Sequence, residues 1–200
     1  MNVRLQYTVH ITAGVHYNDQ LIMNNYMLKA WMITNTTDAE LTNIAFERMK
    51  YFVTDLDSTV FVDIRDAEAC ERYLNAGIRI TTTPKEPVDQ ILGVMFFHKL
   101  NAIMEGRISV VETELSSSIG DNMVYIHSEH EVTRDVDIPD WWTTADPLHC
   151  EFDLLDQDKV VTMHRHNLWR ELDMAWPDEP ATEPTGNIVF ADFGRDETKH

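Results

Sequence analysis

Apolar and polar residues alternate at the start of the chain, over residues 3–11. The apolar positions are Val3, Leu5, Tyr7, Val9 and Ile11. This period of two is typical of a strand with one buried face. Gly14 and the pair Asn18-Asp19 then indicate a turn.

Residues 20–33 are compatible with two structures. Their apolar residues include Met23, Tyr26, Met27, Ala30 and Trp31. Because these positions fall at three- and four-residue intervals, we predict a helix. The alternative is a second strand that pairs back on the first as a hairpin.

Three later segments have a clearer helical pattern. The predicted helices run from Thr37 to Leu56, from Asp66 to Ala76 and over about residues 87–105. Thr37 begins a capping box, and Asp66 is a typical N-cap residue. Gly77 and Gly106 follow the second and third helices, where a residue in the left-handed conformation often ends a helix. The third helix is the most apolar, so we predict that it packs at the centre.

Short runs rich in β-branched residues lie between and after these helices. The predicted strands are Thr59–Ile64, Ile78–Thr83, Ile108–Leu115 and Met123–His127. Gly120-Asp121 lies between the last two and suits a hairpin turn. Together these elements predict an α+β fold, in which a mixed sheet packs against about three to four helices.

The periodic pattern weakens after residue 128. Residues 129–158 are rich in Asp, Pro and Trp, which favours loop structure. We predict a short strand at Lys159–Met163, a helix at His164–Trp176 and an edge strand at Ile188–Phe193. The chain is therefore interpreted as one domain, with an α+β core at 1–128 and an acidic arm at 129–200 docked on it.

Negative charge is concentrated in the second half of the chain. Residues 1–109 carry 13 acidic and 10 basic side chains, whereas residues 110–200 carry 21 and 6, which gives net charges of −3 and −15. Such a surface repels phosphate backbones and anionic lipid, and it attracts basic proteins and metal cations. Direct nucleic-acid binding is therefore not expected. A membrane span is not expected either, because no stretch approaches 18 consecutive apolar residues.

Cysteine usage indicates a reducing compartment. Cys70 and Cys150 are the two cysteines of the chain. Small secreted domains that depend on disulfides usually contain more, so we expect two reduced thiols and a cytoplasmic location. A single bridge between the two remains the alternative.

A group of histidines in the second half suggests a metal site. The candidate ligands are His127, His130, His149, His164 and His166, with Cys150 in the same window. Imidazole, thiolate and carboxylate are the ligands of zinc, and Glu129 would then be a general base. The alternative is that these histidines are surface groups, or neighbours of carboxylates, with no metal or other cofactor.

Aspartates and tryptophans in the arm suggest a docking surface. Asp135, Asp137 and Asp140 precede Trp141 and Trp142. An exposed aromatic residue within a polar rim is a typical anchor for a partner protein. The alternative is that both indoles fold back onto the core, because so polar an arm needs large apolar groups to dock it.

No motif in the sequence is specific enough to identify a reaction, so three hypotheses about the function remain. The leading hypothesis is a non-enzymatic protein whose acidic half binds a basic partner protein, for example by mimicking the phosphate spacing of a nucleic acid. The second is a metal-dependent hydrolase that uses the histidine group and Glu129. The third is a structural subunit of a homo-oligomer.

Overall fold

The computed structural model of the protein describes residues 4–129, 138, 140–147 and 168–177. Within them, a six-stranded mixed sheet packs against three long helices, which confirms the α+β class. The elements are β1 Arg4–Tyr17, β2 Gln20–Thr34, α1 Ala39–Leu56, β3 Val60–Asp63, α2 Ala67–Asn75, β4 Ile80–Thr83, α3 Asp89–Met104, β5 Ile108–Ser117, β6 Tyr125–Ser128, α4 Asp140–Thr143 and α5 Leu168–Glu171.

The sheet has a parallel part and an antiparallel part. Its strand order is β4-β3-β1-β2-β5-β6; β4, β3 and β1 run parallel, and each of the remaining neighbours is antiparallel. The parallel strands β3 and β4 are almost continuously buried, whereas β1 and β2 alternate between buried and exposed positions over most of their length. This is the usual pattern, because parallel strands are covered on both faces and antiparallel strands often on one.

Helices cover both faces of the parallel part. Phe61 of β3 packs against Phe96 of α3 on one face, with ring centroids 6.1 Å apart. The neighbouring residues Val60 and Val62 pack in a separate cluster with Tyr73 of α2. Since successive strand residues point to opposite faces, α2 lies on the face of the sheet away from α3.

The prediction of a helix at 20–33 is wrong, and the hairpin alternative is correct. β2 pairs with β1 from Tyr17↔Gln20 to Arg4↔Ile33, and with β5 on its other side. The side chains of β2 that face the core lie at every second position, including Leu28, Ala30 and Met32. Pairing on both edges satisfies the backbone hydrogen-bonding groups of β2. This stabilisation outweighs the helical preference that the spacing of the methionines and aromatic residues indicates.

The other predicted elements of the core agree with the structure to within a few residues, except that β1 continues to Tyr17 and does not end near Ile11, so Gly14 lies within the strand and the turn forms at Asn18-Asp19. One detail differs: the N-cap of α1 is Asp38, whose carboxylate accepts from the backbone N–H groups of Glu40 and Leu41, and not Thr37. Asp66 caps α2 as predicted. In the second half, a short helix at 140–143 replaces the expected loop, and of the predicted helix at 164–176 only 168–171 is helical among the described residues. The predicted strands at 159–163 and 188–193 lie outside the described residues.

A buried lysine holds residues 141–146 against α3. Lys99 is fully buried, and its Nζ donates to the carbonyl oxygens of Trp141, Thr144 and Asp146 at 2.7, 2.9 and 2.7 Å. It also lies 4.0 Å from the ring centroid of Trp141. An ammonium has three donors, so these three carbonyls use its full hydrogen-bonding capacity.

A buried arginine holds residues 169–176 in a similar way. The guanidinium carbon of Arg48 lies 4.7 Å from the ring centroid of Trp169 and 4.0 Å from that of Trp176. Its Nε donates to the carbonyl oxygen of Met174 at 2.8 Å, and one Nη pairs with Glu105 at 2.7 Å. Stacking between aromatic rings is a geometry that a planar guanidinium favours.

The two adjacent tryptophans therefore dock the segment on the core. Trp142 is fully buried, and its indole N–H donates to the carbonyl oxygen of Thr82 at 2.9 Å. Trp141 is half-buried and packs beside Phe52. The burial of Trp142 removes it from any docking surface, which corrects its assignment as an exposed anchor and agrees with the alternative of indoles folded onto the core.

Candidate metal centre

The three parallel strands end at one edge of the sheet, and a cleft opens there. Its volume is about 400 Å³. The cleft is lined by His16 near the end of β1 with Asn18 and Asp19 beyond it, by Asp63 at the end of β3 with Arg65 and Asp66 beyond it, and by Glu86 and Pro87 after β4. The crevice outside the carboxyl ends of parallel strands is where open α/β sheets bind ligands.

The β1–β2 turn places Asp19 over this cleft. Asn18 and Asp19 have φ angles of 49° and 57°, and Tyr17 pairs with Gln20 on either side of them. Two central residues with positive φ form the hairpin turn that matches strand twist, and Asn and Asp tolerate this conformation. The turn that the sequence indicates is thus also the element that positions one acidic side chain of the cleft.

Close approach of β1 and β3 brings His16 into the same place. Gly14 pairs with Val60 in parallel register, and a Cβ atom at Gly14 would lie 3.0 Å from Cγ2 of Val60 and 2.8 Å from Cδ1 of Leu21. A larger residue would therefore separate the strands. Two residues later, the side chain of His16 lies buried under α2, with a relative exposure of 6%.

Both ring nitrogens of His16 have partners. Its Nδ1 lies 2.9 Å from the hydroxyl oxygen of Tyr73, and its Nε2 lies 3.2 Å from Oδ2 of Asp66. The other carboxylate oxygen of Asp66 accepts from the backbone N–H of Ala69 at 2.9 Å, which fixes the carboxylate at the start of α2. Helix capping thereby orients Asp66, and Tyr73 orients the imidazole.

His16, Asp19 and Asp66 together form a group of candidate metal ligands. One ligand atom from each residue lies within 4.8 Å of the other two. The imidazole is buried, Asp66 is partly exposed and Asp19 is exposed, so the group is open on the side of the cleft. One nitrogen and two carboxylate groups form a ligand set that suits zinc or manganese.

The two other carboxylates of the cleft differ in what they contact. Asp63 forms a two-point ion pair with Arg65, whose Nε and Nη2 lie 2.9 and 2.5 Å from its oxygens. Hydrogen bonds from Arg65 hold the pKa of Asp63 below its usual value. Glu86 is exposed and has no hydrogen bond or ion pair through its carboxylate among the described residues. Arg65 is therefore engaged with Asp63, while Glu86 is available to a ligand of the cleft.

Two residues of the predicted histidine site lie in the described part of the chain. His127 is buried, and its ring packs edge-on against Phe97 at 4.8 Å and beside His98 at 6.1 Å. Burial lowers the pKa of His98, which favours its neutral form. Glu129 is exposed just after β6. Neither His127 nor Glu129 belongs to the ligand group of the cleft.

The remaining predicted site residues lie outside the described residues. These are His130, His149, His164, His166, Cys150, Asp135 and Asp137. Asp140 begins α4, but its side chain is outside the described part of the structure. The convergence of the five histidines and the acidic docking surface of the arm stay predictions.

Sequence reasoning missed the ligand group of the cleft, although it identified its parts. The pair Asn18-Asp19 indicated a turn, and Asp66 indicated a helix cap. The signal that could have found the site is the placement of Asp66 and Glu86 shortly after two predicted strands, with Asp19 in the turn that follows the first strand. Using it required the knowledge that these strands are parallel and adjacent, which periodicity does not provide.

Among the described residues, no helix is long and apolar enough to cross a membrane. Comparison with protein-family models and with curated proteins finds no match for the chain. The geometry of the cleft at the carboxyl ends of β1, β3 and β4 therefore carries the functional proposal for the protein.

Proposed function

We propose that the protein binds one divalent transition-metal cation in the cleft, through Nε2 of His16 and the carboxylates of Asp19 and Asp66. The observation that carries this proposal is the convergence of these three ligands at the carboxyl ends of the parallel strands. An imidazole between two carboxylates at a cleft mouth offers both the charge and the ligand atoms that zinc or manganese requires.

The hydrogen bonds of His16 suit this role. A metal-bound imidazole nitrogen carries no proton, so the proton of His16 would lie on Nδ1 and be donated to the hydroxyl oxygen of Tyr73, 2.9 Å away. Metal-binding histidines almost always donate their second N–H to such a partner, which fixes the tautomer and the ring orientation. Tyr73 is itself buried in the cluster between α2 and the parallel strands, and this packing holds its hydroxyl group in place.

The chemistry that follows is metal-assisted hydrolysis. Three protein ligands leave a coordination position for water, and a divalent cation lowers the pKa of that water toward neutrality. Glu86 lines the same cleft and is available as a proton acceptor. The proposal keeps the hypothesis of a metal-dependent hydrolase but assigns it to a different set of residues from the histidines of the second half.

Calorimetric titration with Mn²⁺ and with Zn²⁺ tests cation binding. We expect one site in the wild type and loss of that site in His16→Ala. His10→Ala is the matched control, because His10 lies on the same strand with an exposed side chain. Equal binding by both variants, or none by the wild type, would contradict the proposal.

A kinetic test separates binding from hydrolysis. With the cation present, p-nitrophenyl acetate and bis(p-nitrophenyl) phosphate serve as activated substrates. We expect Glu86→Gln to keep the cation affinity and to slow hydrolysis by about 10²-fold or more, the usual contribution of a general base. Glu68→Gln, an exposed substitution on α2 outside the cleft, is the control. An unchanged rate in Glu86→Gln would exclude this residue as the base.

A second function, binding of a basic partner protein through the acidic half, is favoured by one observation. Lys99 and Arg48 dock the C-terminal segments mainly through backbone carbonyls and aromatic rings. The carboxylates of the described C-terminal segments are exposed and form no ion pair with a described residue; they are Glu129, Asp146, Glu171 and Asp173. Docking therefore leaves these four carboxylates exposed to a partner, although Asp146 also interacts with the charge of Lys99. We propose a cytoplasmic location from the cysteine usage.

Binding of poly-L-lysine at several salt concentrations tests this second function. We expect the affinity to fall with salt, since exposed charges are screened over about 10 Å at 0.1 M. The double variant Glu171→Gln/Asp173→Asn should weaken binding more than Glu40→Gln/Glu47→Gln, which removes the same charge from α1. Equal effects of the two double variants would show that the C-terminal half has no special role.

A further inference from the structure

A second cleft opens at the same edge of the sheet, beside the first. Its volume is about 270 Å³, and Pro87 lines both clefts. Its walls are formed by Val15, Tyr17, Tyr26, Pro87, Val88, Ile119 and Tyr125, with Asp89 and Gly120 completing the lining. The lining is thus mainly aromatic and aliphatic with one carboxyl group, which is the usual composition of a small-molecule site.

Asp89 is the charged group of this cleft, and no residue in the described part of the chain pairs with it as a cation. The residue is 8% exposed and lies at the first position of α3. Its Oδ2 accepts from the hydroxyl of Ser117 at 2.6 Å, and none of the ion pairs among the described residues involves Asp89. Burial raises the pKa of Asp89, which reflects the cost of an unpaired carboxylate there.

A buried hydroxyl group lines the same cleft without a partner. Tyr26 is 1% exposed, and its hydroxyl has no hydrogen-bond partner among the residues that the structure describes. Burial raises the pKa of Tyr26, the nearby side chain of Asn24 opposes this rise, and the charge of Asp89 adds to it. A buried hydroxyl without a partner costs about 1–3 kcal/mol, and a ligand in the cleft can satisfy it.

Gly120 leaves room for the carboxyl group of Asp89. A Cβ atom at this position would lie 2.6 Å from Oδ2 of Asp89 and 3.1 Å from the hydroxyl oxygen of Ser117. The first contact is shorter than Cβ atoms show and the second is tight, so a residue with a side chain at 120 would displace the carboxyl group. Glycine therefore keeps the acidic end of the cleft in its present form.

We infer that this cleft binds a guanidinium or amidinium group, with Asp89 accepting its N–H donors and the tyrosine rings stacking on its plane. A planar cation with several donors matches a carboxylate in two hydrogen bonds and also stacks on aromatic faces. The unpartnered hydroxyl of Tyr26 can accept a further N–H. The inference is independent of the cation proposed for the neighbouring cleft.

Two sources of this group have the same chemistry. One is a free small molecule, and the other is an arginine side chain of a basic partner protein. Benzamidine represents the first, and N-acetylarginine amide represents the second. Benzamide has the shape of benzamidine without its charge, so it measures the contribution of the cation to binding.

Titration of the whole chain with these probes, in the presence of EDTA, tests the inference. We expect benzamidine to bind and benzamide not to bind. Asp89→Asn and Gly120→Ala should each weaken the affinity for benzamidine by at least about tenfold, as expected for the loss of a charged hydrogen bond. Asp121→Asn is the matched control, because it removes a charge from the next residue of the same turn, outside the cleft lining.

Each outcome decides a separate question. Binding of N-acetylarginine amide at the same site would identify an arginine side chain as an acceptable source, and binding of benzamidine alone would indicate a free ligand. Equal affinities for benzamidine and benzamide, or equal effects of Asp89→Asn and Asp121→Asn, would overturn the inference. Absence of benzamidine binding by the wild type, which needs no variant to fold, would overturn it as well.

Discussion

The buried cations that dock the C-terminal segments differ from the acidic cleft at the edge of the parallel strands. Lys99 uses all three of its donors on carbonyl oxygens of residues 141–146, and Arg48 lies between two indole rings. In the cleft, His16, Asp19 and Asp66 bring three ligand atoms within 4.8 Å of one another, with one side open.

This comparison distinguishes charged groups that stabilise the fold from charged groups that are available to bind a ligand. A charge whose hydrogen-bonding capacity is used within the protein contributes to the fold, and its removal leaves other buried groups unpaired. Charged and polar groups that converge on an open space can still bind a ligand even when they also contact one another, as His16 and Asp66 do. On this view Lys99 and Arg48 are structural residues, and the cleft is the proposed functional site.

The largest effect is expected from removing the buried lysine. Lys99→Met keeps the length of the side chain but leaves the carbonyl oxygens of Trp141, Thr144 and Asp146 without their donor. We expect the free energy of unfolding, measured by urea denaturation, to fall by about 3–5 kcal/mol, the usual cost of breaking a buried charged network.

Lys50→Met is the control for this experiment. Lys50 is an exposed residue of α1 that pairs with Glu47 one turn away. Exposed ion pairs contribute little to the free energy of unfolding, so the stability of Lys50→Met should match that of the wild type. A similar small effect for Lys99→Met would show that the lysine does not hold the segment.

The pH dependence of stability should carry a signature of the same lysine. Burial lowers the pKa of Lys99 to about 7, while Asp146 opposes this shift, against an ordinary value of 10.5. Between these two values the unfolded chain binds more protons than the folded chain, so this residue makes stability rise with pH in that window, by at most about 1.4 kcal/mol per pH unit.

Urea denaturation of the wild type and Lys99→Met at several pH values between about 7 and 10 measures this effect. The stability difference between the two proteins should grow as the pH rises, because the variant lacks the group. A difference that stays constant across this range would mean that the three carbonyls hold the lysine protonated.

A smaller effect should follow from the residue that orients His16. Tyr73→Phe removes the hydroxyl that lies 2.9 Å from Nδ1 of the imidazole and keeps the buried ring. We expect calorimetry to show an affinity for Mn²⁺ that is about 10- to 100-fold weaker, the usual effect of losing such a partner. Tyr7→Phe, on the far part of β1, should leave the affinity unchanged. If both variants bind equally, Tyr73 has no positioning role.

Local sequence signals predicted most of the core but not its arrangement. Asp66 as a helix cap, Gly77 after α2 and the apolar stripe of α3 identified these helices, because capping and amphipathic packing depend on neighbouring residues. For residues 20–33 the sequence favours a helix over the hairpin strand that forms, because the core-facing side of β2 includes the polar residues Asn24 and Thr34, which interrupt the alternation of apolar and polar positions.

The site and the docked tryptophans depend on distant contacts. Asp19 and Asp66 belong to different segments, and only the parallel pairing of β1 with β3 brings them together. Trp141 and Trp142 looked like surface anchors because the carbonyl-bound lysine and the acceptor for Trp142 lie far away in the chain. Interactions between such distant residues do not produce a periodic pattern in the sequence.

The most direct test is a crystal structure of the wild type soaked with Mn²⁺, with anomalous difference maps to locate the cation. We predict one strong peak in the cleft, about 2.0–2.3 Å from Nε2 of His16 and from carboxylate oxygens of Asp19 and Asp66. A cleft without a peak at saturating Mn²⁺, or a peak only at the histidines of the second half, would contradict the proposed site.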